Sequence, residues 1–141
     1  MMGMEGGRMT SKGSDGPTVL VVDDQAGIRS IERRVLEIHG YRVLEAEGAA
    51  EAIALLSAGS PLDLLIADLD MPEVRGDEMV RRIRKTRPGL KVLYVSGQIN
   101  SLMDARPLEE TEAFLEKPFT VPGLAEAVSL LLFGSLKKPA S

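Results

Sequence analysis

Short apolar runs recur along the chain, each ended by polar or turn-forming residues, with stretches of helical period between them. Thr18-Val19-Leu20-Val21-Val22 leads straight into Asp23-Asp24, and we read the whole segment as a first strand. Ala26 to His39 follows with Ile28, Ile31, Val35 and Ile38 at helical spacing, so the pattern predicts a helix burying those four. Arg29, Glu32, Arg33 and Glu37 then lie off that face. Arg42 to Ala46 is a second strand, and Gly48 to Ala58 a second helix with Ala49, Ala52, Ile53 and Leu56 inward. Leu64-Leu65-Ile66-Ala67 then carries Asp68 to the end of a third strand, with Asp70 and Met71-Pro72 in the turn beyond it. Gly76 to Lys85 reads as a third helix on Met79, Val80 and Ile83, and Lys91 to Ser96 as a fourth strand. Ile99 to Ala105 is a short, weakly patterned helix, Ala113 to Glu116 a fifth strand. The last helix is capped by Thr120, carries Pro122 in its first turn, and runs to about Leu132 on Leu124, Val128, Leu131 and Leu132.

Five strands thus alternate with five helices. Strands that are apolar throughout are buried on both faces, and each crossover is long enough for a right-handed βαβ unit. The expected fold class is therefore α/β, a doubly wound parallel sheet. Residues 1–17, rich in Gly, Ser and Met, read as a disordered leader, 18–133 as one domain, and 134–141 as a flexible tail.

Composition narrows the chemistry. There is no cysteine, which excludes a thiolate zinc site and a disulfide framework. His39 is the only histidine; it sits at a predicted helix end without a Ser or Cys partner signature, and it reads as structural. Net charge is −4, and the densest basic run, Arg81 to Arg87, reads as a solvated helix face, so no nucleic-acid partner is expected. No apolar run approaches the ~18 residues of a transmembrane helix, so no membrane partner is expected either.

In a parallel sheet the C-terminal strand ends share one edge, where ligands bind. Asp23 and Asp24 from the first strand and Asp68 from the third would crowd three carboxylates there, and a hard divalent cation such as Mg²⁺ is the natural counter-charge. Ser96 adds a hydroxyl and Lys117 an ammonium. A carboxylate nucleophile with a metal, an ammonium and a hydroxyl around it suits phosphoryl transfer.

These motifs in this order, Val-Val-Asp-Asp at 21–24, Asp68 with Met71-Pro72, Val95-Ser96-Gly97 and Glu116-Lys117-Pro118-Phe119, resemble the response-regulator receiver domain of two-component signalling. The resemblance implies a flavodoxin-like sheet of order 2-1-3-4-5. It implies Asp68 as phosphoacceptor, served by a histidine kinase or phosphotransfer protein in the cytoplasm. It implies Asp24, Asp23 and the backbone carbonyl of Asp70 as further Mg²⁺ ligands, and Ser96 and Lys117 as phosphate contacts. It also implies a cis Lys117–Pro118 bond and a non-enzymatic role beyond self-dephosphorylation.

Three positions depart from the commonest receivers. Asp70 carries a carboxylate and is expected to strengthen Mg²⁺ dependence and alter the phospho-aspartate lifetime. Phe114, three residues before Lys117, lacks a hydroxyl, so any switch with Ser96 is steric; plain core filling is the other reading. Gly97 leaves the acceptor open. The rival readings are a haloacid-dehalogenase-like phosphatase using Asp68 and Asp70, and a receiver-like interaction module that is never phosphorylated. The expected output is a surface change read by a partner across the fourth helix, fifth strand and last helix, in a monomer or weak dimer. A stand-alone receiver and a terminal receiver of a hybrid kinase both fit.

Overall fold

The computed structural model describes residues 16–97 and 108–134. The elements run β1 (Thr18–Val22), α1 (Ala26–Ile38), β2 (Arg42–Ala46), α2 (Ala49–Ser57), β3 (Leu64–Asp68), α3 (Gly76–Ile83), β4 (Lys91–Ser96), β5 (Glu112–Glu116) and α4 (Val121–Phe133). The helix expected over Ile99–Ala105 lies outside the described residues. All strand pairs are parallel, in the order β2-β1-β3-β4-β5. That is the doubly wound, flavodoxin-like order.

Alternation along the central strands divides the core in two. Leu20, Val22, Leu65, Ala67, Val92 and Tyr94 face α2 and α3, meeting Ala52, Leu56, Met79 and Ile83. Val19, Val21, Leu64, Ile66, Leu93 and Val95 face the other way, meeting Val35 and Leu36 of α1 and Leu124, Val128 and Leu131 of α4. Apolar side chains on both faces of the same strand leave only the strand ends for polar chemistry. Among the described residues, no helix is long and apolar enough to cross a membrane.

Helix ends follow local chemistry. Thr120 Oγ1 accepts from the Gly123 amide at 3.0 Å and caps α4, and Gly134 at φ 75° closes it. His39 caps the C-terminus of α1, its Nδ1 lying 2.9 Å from the Val35 carbonyl, so the lone histidine is engaged in the helix end.

The inward face of α1 is not the one expected. Ile31 is 50% exposed and Ile38 75%, whereas Glu32 is 1% exposed, beside Val35 and Leu36. The helix turns the 32, 35, 36 stripe toward the sheet and α4. Counting isoleucines as inward put the centre of that stripe one position too early. A second correction concerns β1, which ends at Val22; Asp23 and Asp24 lie beyond it, in the turn before α1.

The basic run is largely engaged within the chain. Arg81 and Arg82 pair with Glu78 on the same helix. Arg87 donates to the Ser60 carbonyl at 2.7 Å and the Leu56 carbonyl at 3.1 Å. Arg84 turns inward: it pairs with Glu112 at 2.6 Å and donates to Thr111 Oγ1 and the Leu90 carbonyl, while the buried Tyr94 hydroxyl donates to the same Glu112 carboxylate at 3.1 Å. This network ties α3 to β4 and the start of β5.

Candidate phosphoacceptor site

The parallel register carries β1, β3, β4 and β5 to a common edge, and ladder-like hydrogen bonds continue past the strands into the site. The Asp23 amide donates to the Ala46 carbonyl at 3.2 Å, the Leu69 amide to the Val95 carbonyl at 3.0 Å, and the Lys117 amide to the Ser96 carbonyl at 2.9 Å. These bonds hold the backbone at Asp23, Leu69 and Lys117 against the neighbouring strand.

Asp23, Asp24 and Asp68 each place a carboxylate oxygen within 4.8 Å of the others. Asp23 and Asp68 are buried, at 1% and 2% exposure, while Asp24 is exposed and forms the solvent side of the cluster. Asp23 Oδ1 accepts from the Gln25 amide at 2.8 Å. Its Oδ2 is buried without a hydrogen-bond partner and lies 3.5 Å from the Lys117 ammonium. Lys117 Nζ lies 3.3 Å from Asp68 Oδ2, so one cation bridges both buried acids. The peptide bond after it, Lys117–Pro118, is cis.

Electrostatics follow from this crowding. Burial raises Asp23 above the usual carboxylate range; the Gln25 amide pulls it down, and repulsion by Asp68 adds to the rise. Burial would lower the Lys117 ammonium, yet Asp23 and Asp68 outweigh it and hold the amine above its ordinary value. Glu32 is pushed up to about 8 by burial and then by Asp23, against the weaker pull of Lys117. Its Oε1 has no hydrogen-bond partner.

Two site features were not legible in the sequence. Gly76 opens α3 directly against the Asp68 backbone: a Cβ there would sit 2.4 Å from the Asp68 carbonyl oxygen and 3.1 Å from Leu69 Cα. Only glycine allows that approach. The loop between β3 and α3 turns through Glu73 at φ 68° to bring Gly76 there. The second feature is the contact of Asp70. Its amide donates to Asp68 Oδ1 at 3.0 Å, and its carboxylate reaches β4, where Oδ2 accepts from Ser96 Oγ at 3.0 Å and the Gly97 amide at 3.3 Å. Phe114 packs against the Tyr94 ring at 5.8 Å, partly buried against the α2–α3 face of the core.

The donor set fits a hard divalent ion. It consists of carboxylate oxygens, one of them a buried oxygen without a hydrogen-bond partner, with an open side at Asp24. The same edge presents the buried Asp68 carboxylate beside the Lys117 ammonium.

Comparison with known proteins agrees with this geometry. The response regulator receiver domain family matches residues 19–129. The chain is 35% identical over 121 residues to the sensor kinase CckA of Brucella abortus, covering 84% of this chain but 13% of that kinase. It is 27% identical over 116 residues to sporulation initiation phosphotransferase F of Bacillus subtilis, covering 81% of this chain and 92% of that one. The structure of a response regulator receiver protein from Sinorhizobium medicae superposes with a TM-score of 0.76 at 28% identity, over 84% of this chain and 95% of the other. The chain belongs to the response regulator receiver family, the phosphoacceptor domains of two-component signalling.

Proposed function

We propose that this domain accepts a phosphoryl group on Asp68 from a histidine kinase or a phosphotransfer protein. An Asp68 carboxylate oxygen attacks the phosphorus of the donor phosphohistidine. The P–N bond breaks, its electron pair returns to the imidazole nitrogen, and an acyl phosphate remains on Asp68. The observation that carries this reading is the buried Asp68 carboxylate, 3.3 Å from Lys117 Nζ and inside a carboxylate cluster that needs a counter-ion.

Asp23, Asp24 and Asp68, with the Asp70 carbonyl, would hold Mg²⁺. When bound, Mg²⁺ supplies positive charge against the phosphoryl oxygens. Lys117 neutralises a second oxygen, and the Ser96 hydroxyl donates to a third. Hydrolysis later returns the carboxylate and releases phosphate.

Output is read by a partner protein from the surface around β5 and α4, in a cytoplasmic monomer or weak dimer. Phe114, tilted against the Tyr94 ring, couples to that surface sterically, since it has no hydroxyl. Phosphotransfer profiling against the kinases of the source organism, with Asp68→Asn as control, tests the reading. Rapid labelling by a subset of kinases, abolished in the variant, is expected. Labelling that survives Asp68→Asn would overturn it.

A further inference from the structure

The Asp70 carboxylate occupies two donors at the end of β4, on the strand that pairs with the one carrying Asp68. Ser96 is buried, and its hydroxyl donates to Asp70 Oδ2 at 3.0 Å; the Gly97 amide donates to the same oxygen at 3.3 Å. The register explains why the side chain reaches there. Asp68 pairs with Val95 at the end of the β3–β4 ladder, and the Leu69 amide extends it by one more bond to the Val95 carbonyl. Asp70 therefore comes level with the end of β4. Its own amide is held by Asp68 Oδ1 at 3.0 Å, which fixes its backbone beside the acceptor. A carboxylate oxygen that gathers a serine hydroxyl and the next backbone amide gives those donors the kind of charged acceptor that a phosphoryl oxygen also is.

We infer that Asp70 is a tethered stand-in for the phosphoryl group, occupying the Ser96 hydroxyl and the Gly97 amide until phosphorylation displaces it. This rests on the receiver reading above. It goes beyond a general charge effect, because it names the two donors that the Asp70 carboxylate engages. Two negative groups cannot share those donors closely, so the incoming phosphoryl group and the Asp70 carboxylate exclude each other. Asp70 is exposed, so it can swing into solvent once displaced. Ser96 then exchanges one charged acceptor for another. The switch hydroxyl is held in both states, and the resting site resists occupation.

The test is titration of the full chain with beryllofluoride, a stable phosphoryl mimic, at saturating Mg²⁺. Wild type, Asp70→Asn and Asp70→Ala are compared by amide resonances. Saturating Mg²⁺ removes any effect of Asp70 on metal affinity. Before beryllofluoride is added, the Gly97 amide resonance of Asp70→Ala should move from its wild-type position, reporting a lost acceptor. Beryllofluoride should then bind both variants more tightly, by about tenfold for Asp70→Ala, the scale of losing a competing bond to a charged acceptor. An unmoved Gly97 resonance, or equal or weaker beryllofluoride affinity in both variants, overturns the inference alone. No response in wild type overturns the receiver reading and the inference with it.

Discussion

Replacing Glu32 by glutamine should change how stability depends on pH, and the size of the change follows from where the carboxyl lies. Glu32 is buried on α1, within electrostatic reach of Asp23, Asp68, Lys117 and Arg29, with Oε1 lacking a hydrogen-bond partner. Burial is the largest influence, and the group is pushed up from 4.5 to about 8. The folded protein therefore keeps a proton that the unfolded chain has released at neutral pH. Because the folded value is the higher one, this contribution to stability is intact below about pH 4.5 and is lost as pH rises toward about 8. Each pH unit in that window removes about 1.4 kcal/mol, so about 3 kcal/mol is gone by pH 7. That is a large share of the roughly 5–15 kcal/mol that holds a domain folded. Glutamine keeps the shape but does not titrate. Urea denaturation of both proteins in metal-free buffer between pH 5 and 8 gives the difference directly, and other titrations largely cancel in it. The Glu32→Gln protein should gain on wild type by about 3 kcal/mol at pH 7 and by under about 1 kcal/mol at pH 5. A difference independent of pH would refute the reasoning.

Gly76→Ala should lower stability by about 1–3 kcal/mol, because its Cβ would meet the Asp68 carbonyl at 2.4 Å and backbone must move. Beryllofluoride affinity should fall with it; unchanged affinity and urea midpoint would contradict the close approach. Arg84→Ala breaks the 2.6 Å ion pair with the buried Glu112 carboxylate and should cost about 3–5 kcal/mol by urea denaturation. Tyr94→Phe removes one hydrogen bond to the same carboxylate and should cost about 1 kcal/mol. Mg²⁺ should raise the thermal midpoint of wild type by relieving the Asp23, Asp24 and Asp68 repulsion, adding about 3 kcal/mol at a hundredfold excess over Kd. Asp24→Asn should blunt that rise.

The sheet was legible because its strands are apolar on both faces, as in Val19–Val22 and Leu64–Ala67. The site was legible for the same reason: once the strands are parallel, Asp23, Asp24, Asp68, Ser96 and Lys117 must meet at one edge. Contacts set by loop paths were not legible. Gly76 looked like an ordinary helix start, since its clash partner is the backbone of Asp68, which only the turn at Glu73 brings close. Asp70 was legible as an extra charge, but not as the acceptor for Ser96 and Gly97. Glu32 was misplaced because hydrophobic periodicity assigns charged residues to solvent, and here the packing of α1 on α4 and the sheet outweighs one carboxyl. Arg84 was read as surface for the same reason, although its partner Glu112 is buried at the start of β5.

Everything proposed for this domain turns on Asp68 taking the phosphoryl group. Incubating the protein with a small-molecule phosphodonor and Mg²⁺, trapping the acyl phosphate by borohydride reduction and mapping the product by peptide mass spectrometry tests it most directly. A single reduced position at Asp68 is expected, dependent on Mg²⁺ and absent in Asp68→Asn. Reduction at another residue, or none at Asp68 while the protein remains folded and Mg²⁺-bound, would contradict it.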